Sequence, residues 1–126
     1  MKAISLHQPW ATWIAEGKKT IEIRFWPTKY RGDLLIVSTK KPKFHGFPLG
    51  QALCIVRVIG CRKMTVLDET KAMCRWECGK YAWELEDIRP IEPFEVKGQQ
   101  GFYEVDMNIF TKEETCYPSG QKGLFE

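Results

Sequence analysis

Gly17-Lys18-Lys19-Thr20-Ile21-Glu22-Ile23-Arg24 is where the hydrophobic pattern of this chain changes period, from helical to alternating. Upstream, Trp10, Trp13 and Ile14 recur at helical spacing behind Pro9, a residue suited to a first helical turn because its missing N–H costs nothing there. Gly17 is a natural stop, and Lys18 and Lys19 suit a helix C-terminus, so a short helix is predicted over residues 9–16. Downstream, residues 20–26 alternate as a strand. Ile21, Ile23 and Phe25 form the expected core face, and Thr20, Glu22, Arg24 and Trp26 the other.

Outward from this junction the chain reads as several short strands with few helices. Strands are predicted over residues 2–6, 34–38, 52–59, 81–85 and 102–105. A short second helix is expected over 68–76, capped by Asp68 or Thr65. Pro90 and Pro93 are expected to break the chain, and Gly98 to Gly101 to turn it into the last strand. The fold class is therefore α+β, a small and mostly antiparallel β-barrel with two or three short flanking helices. One domain is expected over residues 1–110, with 111–126 a tail that packs loosely.

Composition narrows the class. The 126 residues are 44% hydrophobic and 13% aromatic, enough for a packed core without disulfide staples. Five cysteines cannot all pair within one chain, Met1 leads straight into a strand pattern, and no apolar run reaches the roughly 20 residues of a membrane helix. A cytoplasmic protein with free thiols and no membrane partner is expected. The charge is unevenly placed: +9 up to Lys63 and −6 thereafter, for a total of +3. This is read either as a basic face for a polyanion or as two halves that pair with each other.

The junction also concentrates chemistry. Lys19, Glu22 and Arg24 place mixed charges beside Trp10 and Trp26. Aromatic rings can stack on a base, a carboxylate can accept from its amine, and Lys or Arg can hold phosphate or carbonyl oxygens. The alternative is a plain surface ion pair of Glu22 and Arg24, and a buried pair of the two would make the motif structural. Trp13, Trp76 and Trp83 are expected in the core, and Lys40, Lys41 and Lys43 form a basic loop. Cys74 and Cys78, with Cys61 and His7 or His45, lack the second pair that a zinc site needs, so no metal and no cofactor are expected.

Three segments carry a resemblance: His7-Gln8-Pro9-Trp10, then Gly17-x-Lys19-x-x-Glu22-x-Arg24, then Tyr30-Arg31-Gly32-Asp33-Leu34-Leu35-Ile36. The chain resembles the ASCH family of the PUA-like superfamily, whose characteristic motif is Gly-x-Lys-x-x-Glu-x-Arg. Tyr81-Ala82-Trp83 and Gly98-x-x-Gly101 look like its second half, so the resemblance covers about residues 2–106. It implies a β-barrel with a cleft beside the motif that binds RNA, single-stranded nucleic acid or a modified nucleobase. The expected ligand-binding residues are Trp10, Lys19, Glu22, Arg24, Trp26 and Arg31.

The resemblance also implies an enzymatic alternative, with Lys19, Glu22 and Arg24 catalytic. One subgroup hydrolyses the amide of N4-acetylcytidine with a Lys matching Lys19, a Thr where this chain has Glu22, and a downstream Glu for which Glu77 is the candidate. In the amidohydrolase or ribonuclease reading, Lys19 activates water or attacks, Glu22 relays a proton and Arg24 stabilises the oxyanion. Lys18 and Arg24 would lower the pKa of Lys19, and Glu22 would raise it. A third reading is a protein-interaction module with a protein partner.

Overall fold

The computed structural model describes residues 1–107. Among these residues six strands and two short helices follow in order: β1 (Lys2–Leu6), α1 (Trp10–Ala15), β2 (Ile21–Arg24), β3 (Gly32–Ser38), β4 (Gln51–Lys63), α2 (Glu69–Ala72), β5 (Tyr81–Glu95) and β6 (Tyr103–Glu104). A 3-10 turn, Val66–Asp68, leads into α2. The strands form one mixed sheet in the order β2-β5-β4-β3-β1-β6. The β1–β3 pair is parallel, with Ala3 opposite Leu35, and every other pair is antiparallel.

The class is α+β, as expected, but the sheet is open rather than a barrel. Its end strands are too short and lie at opposite edges: β2 has four residues and pairs with β5, and β6 has two and pairs with β1. Side chains meet where hydrogen bonds would have closed the barrel. Trp26, just after β2, packs edge-on against Phe102, just before β6, with centroids 5.5 Å apart. Trp83 joins both, at 4.7 Å from Trp26 and 5.6 Å from Phe102. The three rings form one aromatic cluster that links the two ends of the sheet by side chains rather than by backbone pairing.

Alternation along the strands buries both faces. Ile4, Leu6, Leu34, Ile36, Val56 and Val58 point to the side that α1 covers with Ala11 and Ile14. Ala3, Leu35, Val37, Ala52 and Tyr103 form a second cluster. Gln8 secures the start of α1, accepting from the Thr12 amide (2.9 Å) and donating to Pro48 O (2.8 Å). The second helix is shorter than the expected 68–76 because Met73 adopts a left-handed conformation (φ 57°). Thr65 and Asp68 form the capping box of the 3-10 turn. Arg62 clamps Asp68 with two bonds of 2.7 and 2.8 Å, tying that turn to the end of β4.

Three local expectations are corrected. Pro90 and Pro93 do not end the strand, since β5 runs to Glu95. Among the described residues β2 pairs with β5 only at Tyr81–Glu84, so on that side the prolines interrupt no part of the β2 ladder. Phe25 is 75% exposed, because β2 stops at Arg24 and the alternation stops with it. Of the three tryptophans expected in the core, Trp83 is fully buried, Trp13 is half-buried and Trp76 is 42% exposed. The tail expected over 111–126, with Cys116, lies outside the described residues.

Candidate functional site

The turn between α1 and β2 is held at both ends. Gly17 (φ 80°) reverses the chain, and the amides of Lys18 and Lys19 both donate to Trp13 O, at 2.9 and 3.1 Å. Thr20 then donates to Lys71 O and accepts from the Leu85 amide, each at 3.0 Å. This anchoring turns the Lys19 side chain inward, where it is 2% exposed. Its ammonium donates to Ala72 O at 2.5 Å. Ala72 ends α2, so this carbonyl lacks the next helical amide and is free to accept.

Glu22 completes an ion triad in which the carboxylate and the Lys19 ammonium are buried while Arg24 stays 21% exposed. The Glu22–Arg24 pair is thus neither the plain surface pair nor the fully buried one set out from the sequence. One Glu22 oxygen lies 3.7 Å from Lys19 Nζ and the other accepts from Arg24 Nη1 at 3.1 Å. The Arg24 guanidinium sits over the Trp26 ring at 5.8 Å. Burial depresses the Lys19 pKa below its ordinary value, and the Glu22 charge, with a smaller contribution from Cys74, opposes that shift. Desolvation therefore supplies the effect expected from Lys18, whose exposed ammonium pairs with Glu16 at 3.1 Å.

The triad forms one wall of a cleft of about 440 Å³. Trp10, Lys19, Glu22 and Arg24 line it, four of the six ligand-binding residues expected from sequence. Trp10 is steadied by a bond from its indole nitrogen to Met73 O (3.4 Å). The other two, Trp26 and Arg31, are not among the lining residues. Trp26 belongs to the aromatic cluster, its carbonyl accepting from Trp83 Nε1 at 3.2 Å. Arg31 is exposed and donates to Thr28 O and Tyr30 O within its own turn.

The segment between α2 and β5 adds Cys74, Arg75, Glu77 and Lys80 to the lining. Glu77 pairs with Lys80 at 3.4 Å. Burial raises the Cys74 thiol pKa. Arg75 and Lys80 were not singled out in the sequence, since nothing short of the β5–β2 pairing brings residues so distant in the chain to the motif. Leu6, His7, Ile23 and Phe25 complete the lining. His7 Nδ1 lies 2.9 Å from Thr39 Oγ1, so the Lys40–Lys43 loop begins at this rim of the cleft.

Both readings of the charge asymmetry have a counterpart in the structure. Arg57 pairs with Asp87, Arg62 with Asp68 and Glu84, and Asp33 with Arg89, joining the basic and acidic parts of the chain. Lys40, Lys41 and Lys43 are exposed and make no ion pair among the described residues. Among those residues no three His, Cys, Asp or Glu side chains are placed to share a metal ion, and no helix is long and apolar enough to cross a membrane.

A mixed six-stranded α+β sheet with this motif beside a charged cleft defines the class: the chain belongs to the ASCH domain family, whose sequence model matches residues 4–105. The fold is of the PUA-like kind. Among curated proteins the chain is similar to activating signal cointegrator 1 of Homo sapiens, 50% identical over 40 residues, which is 31% of this chain and 7% of that protein. The corresponding protein of Mus musculus is 47% identical over 38 residues, 30% of this chain and 6% of that protein. The matched region is thus under a tenth of those relatives' length. Among solved structures, ASCH from Zymomonas mobilis superposes with a TM-score of 0.67 at 18% identity, covering 90% of this chain and 93% of that one. A mutant form of the same protein gives 0.64 at 17%, covering 90% and 96%. At these identities the likeness is one of fold.

Proposed function

We propose that the cleft binds a nucleobase, either a modified base or a base of single-stranded RNA. The observation that carries this reading is the convergence of Trp10, Lys19 and Arg24 on one recess of about 440 Å³. That volume falls in the roughly 300–1,000 Å³ range of small-molecule sites. The indole offers a stacking surface, and the two cations offer donors to carbonyl oxygens. Glu22 takes a different role from the one its sequence position suggests. Both its oxygens are engaged by Lys19 and Arg24, so it positions those cations, and Glu77, whose one ion pair with Lys80 leaves its side chain 69% exposed, is the carboxylate that reads a base amine. The test is anisotropy titration of a labelled single-stranded RNA at two salt concentrations, with wild type and Arg24→Ala. Affinity should fall as salt rises, and the variant should bind about tenfold more weakly. A flat salt response together with unchanged binding by the variant would refute the reading.

One observation favours a second reading, amide hydrolysis of an acylated nucleoside such as N4-acetylcytidine. Burial depresses the Lys19 pKa, and Glu77 stands in the same cleft. Neutral Lys19 would take a proton from water as its oxygen adds to the acyl carbon. Arg24 would stabilise the oxyanion, and the proton that Lys19 took from water would pass by way of the Glu77 carboxylate to the departing ring amine as the C–N bond breaks. Mass spectrometry of acylated nucleosides incubated with wild type and Lys19→Ala tests this. Deacylation by wild type alone supports hydrolysis, and none by either protein leaves binding as the function.

A further inference from the structure

We infer that Arg75 and Phe25 extend this site, Arg75 holding a phosphate of the ligand and Phe25 stacking on the base next to the one in the recess. This rests on the base-binding reading above and adds two binding residues to it. Four cations line the cleft against two carboxylates, an excess of positive charge that favours an anionic ligand over a neutral nucleoside. Three of those cations are already engaged. Lys19 is held by Ala72 O and Glu22, Arg24 by Glu22, and Lys80 by Glu77. Arg75 is exposed and makes no hydrogen bond or ion pair among the described residues. A guanidinium without an acceptor presents a planar fork of donors, a shape that matches a phosphate group.

Phe25 supplies the second observation. It lines the same cleft while 75% exposed, with the Lys80 ammonium 6.0 Å from its ring centre. A phenyl ring in water beside a cation contributes nothing to the core, but it is a stacking platform for a base outside the recess. His7 also lines the cleft and bonds Thr39, which leads into the exposed Lys40, Lys41 and Lys43, further cations for the phosphates of a strand.

Calorimetric titration with ribonucleosides, their 5′-monophosphates and short single-stranded oligoribonucleotides separates the possibilities, N4-acetylcytidine being included in each form. Monophosphates should bind about tenfold tighter than nucleosides, as expected for one charged hydrogen-bonding contact, and oligomers about tenfold tighter again for one stacked base. Arg75→Ala should collapse the first ratio and Phe25→Ala the second. Both side chains are exposed, so circular dichroism should report an intact fold. Equal binding of nucleosides and monophosphates overturns the inference and leaves the base-binding reading standing. Equal binding of monophosphates and oligomers overturns the strand and Phe25. Binding of none of these probes overturns the base-binding reading and the inference with it.

Discussion

Replacing Glu22 by Gln removes one charge from the centre of the motif while keeping the side chain's shape. The native carboxylate lies 3.7 Å from Lys19 Nζ and 3.1 Å from Arg24 Nη1, with only 9% of its side chain exposed. Lys19 is 2% exposed, so the substitution leaves a buried ammonium whose remaining acceptor is Ala72 O. Breaking a buried pair costs about 3–5 kcal/mol. The Gln amide oxygen retains one hydrogen bond, and Arg24 can turn toward water, so the expected loss is about 2–3 kcal/mol. For a domain of this size that lowers Tm by roughly 6–15 °C. The pH dependence has a definite sign. Without Glu22 the Lys19 pKa, already lowered by burial, falls further. As pH rises through that folded value, the folded protein sheds the proton while the unfolded chain keeps it, so the deficit shrinks. Urea denaturation followed by tryptophan fluorescence at neutral and alkaline pH measures both effects. A loss below about 0.5 kcal/mol at neutral pH would mean that the triad behaves as a solvated surface pair, and the reasoning would fail.

Asp68 gives an acid-side counterpart: Arg62 pulls its pKa from 3.8 down to about 2, so its contribution is present above the unfolded value and lost as pH falls toward 2. The shift corresponds to about 2–3 kcal/mol, and screening at Arg62, 43% exposed, reduces this to about 1–2 kcal/mol; Asp68→Asn should lose that amount at neutral pH and almost none at pH 2 in urea melts. Trp83→Phe removes the donor to Trp26 O and part of the aromatic cluster, and should cost about 1–3 kcal/mol by chemical denaturation. Lys41→Glu combined with Lys43→Glu should flatten the log–log salt slope of RNA binding by roughly 1.4 if both lysines meet phosphates, with thermal stability unchanged.

Much of the frame was legible because it is written in local periodicity. The alternation over 2–6 and 34–38 and the helical spacing from Trp10 to Gly17 became β1, β3 and α1 with small changes of boundary. The motif was legible too, and four of its expected ligand residues share a cleft. Closure of the sheet was not, because it depends on whether β2 and β6 are long enough to meet, and local pattern carries no information on pairing across the chain. The position of Pro90 and Pro93 beyond the β2 ladder was hidden for the same reason. Glu77 was visible as a candidate acid, but its place in the same cleft as Lys19, with Arg75 and Lys80, follows from the β2–β5 ladder. The role of Glu22 was open because pattern alone does not separate a carboxylate facing a ligand from one enclosed by two cations.

The central claim is that Trp10, Lys19 and Arg24 face the ligand while Trp26 and Arg31 do not. Titration of a short single-stranded RNA into isotopically labelled protein, observed through the tryptophan indole and arginine side-chain NMR signals, tests it most directly. The account predicts shifts at Trp10 Nε1–H and the Arg24 guanidinium, with the Arg31 signals nearly still. Shifts concentrated at Arg31 and Trp26, with Trp10 and Arg24 unmoved, would place binding on another surface and contradict the account.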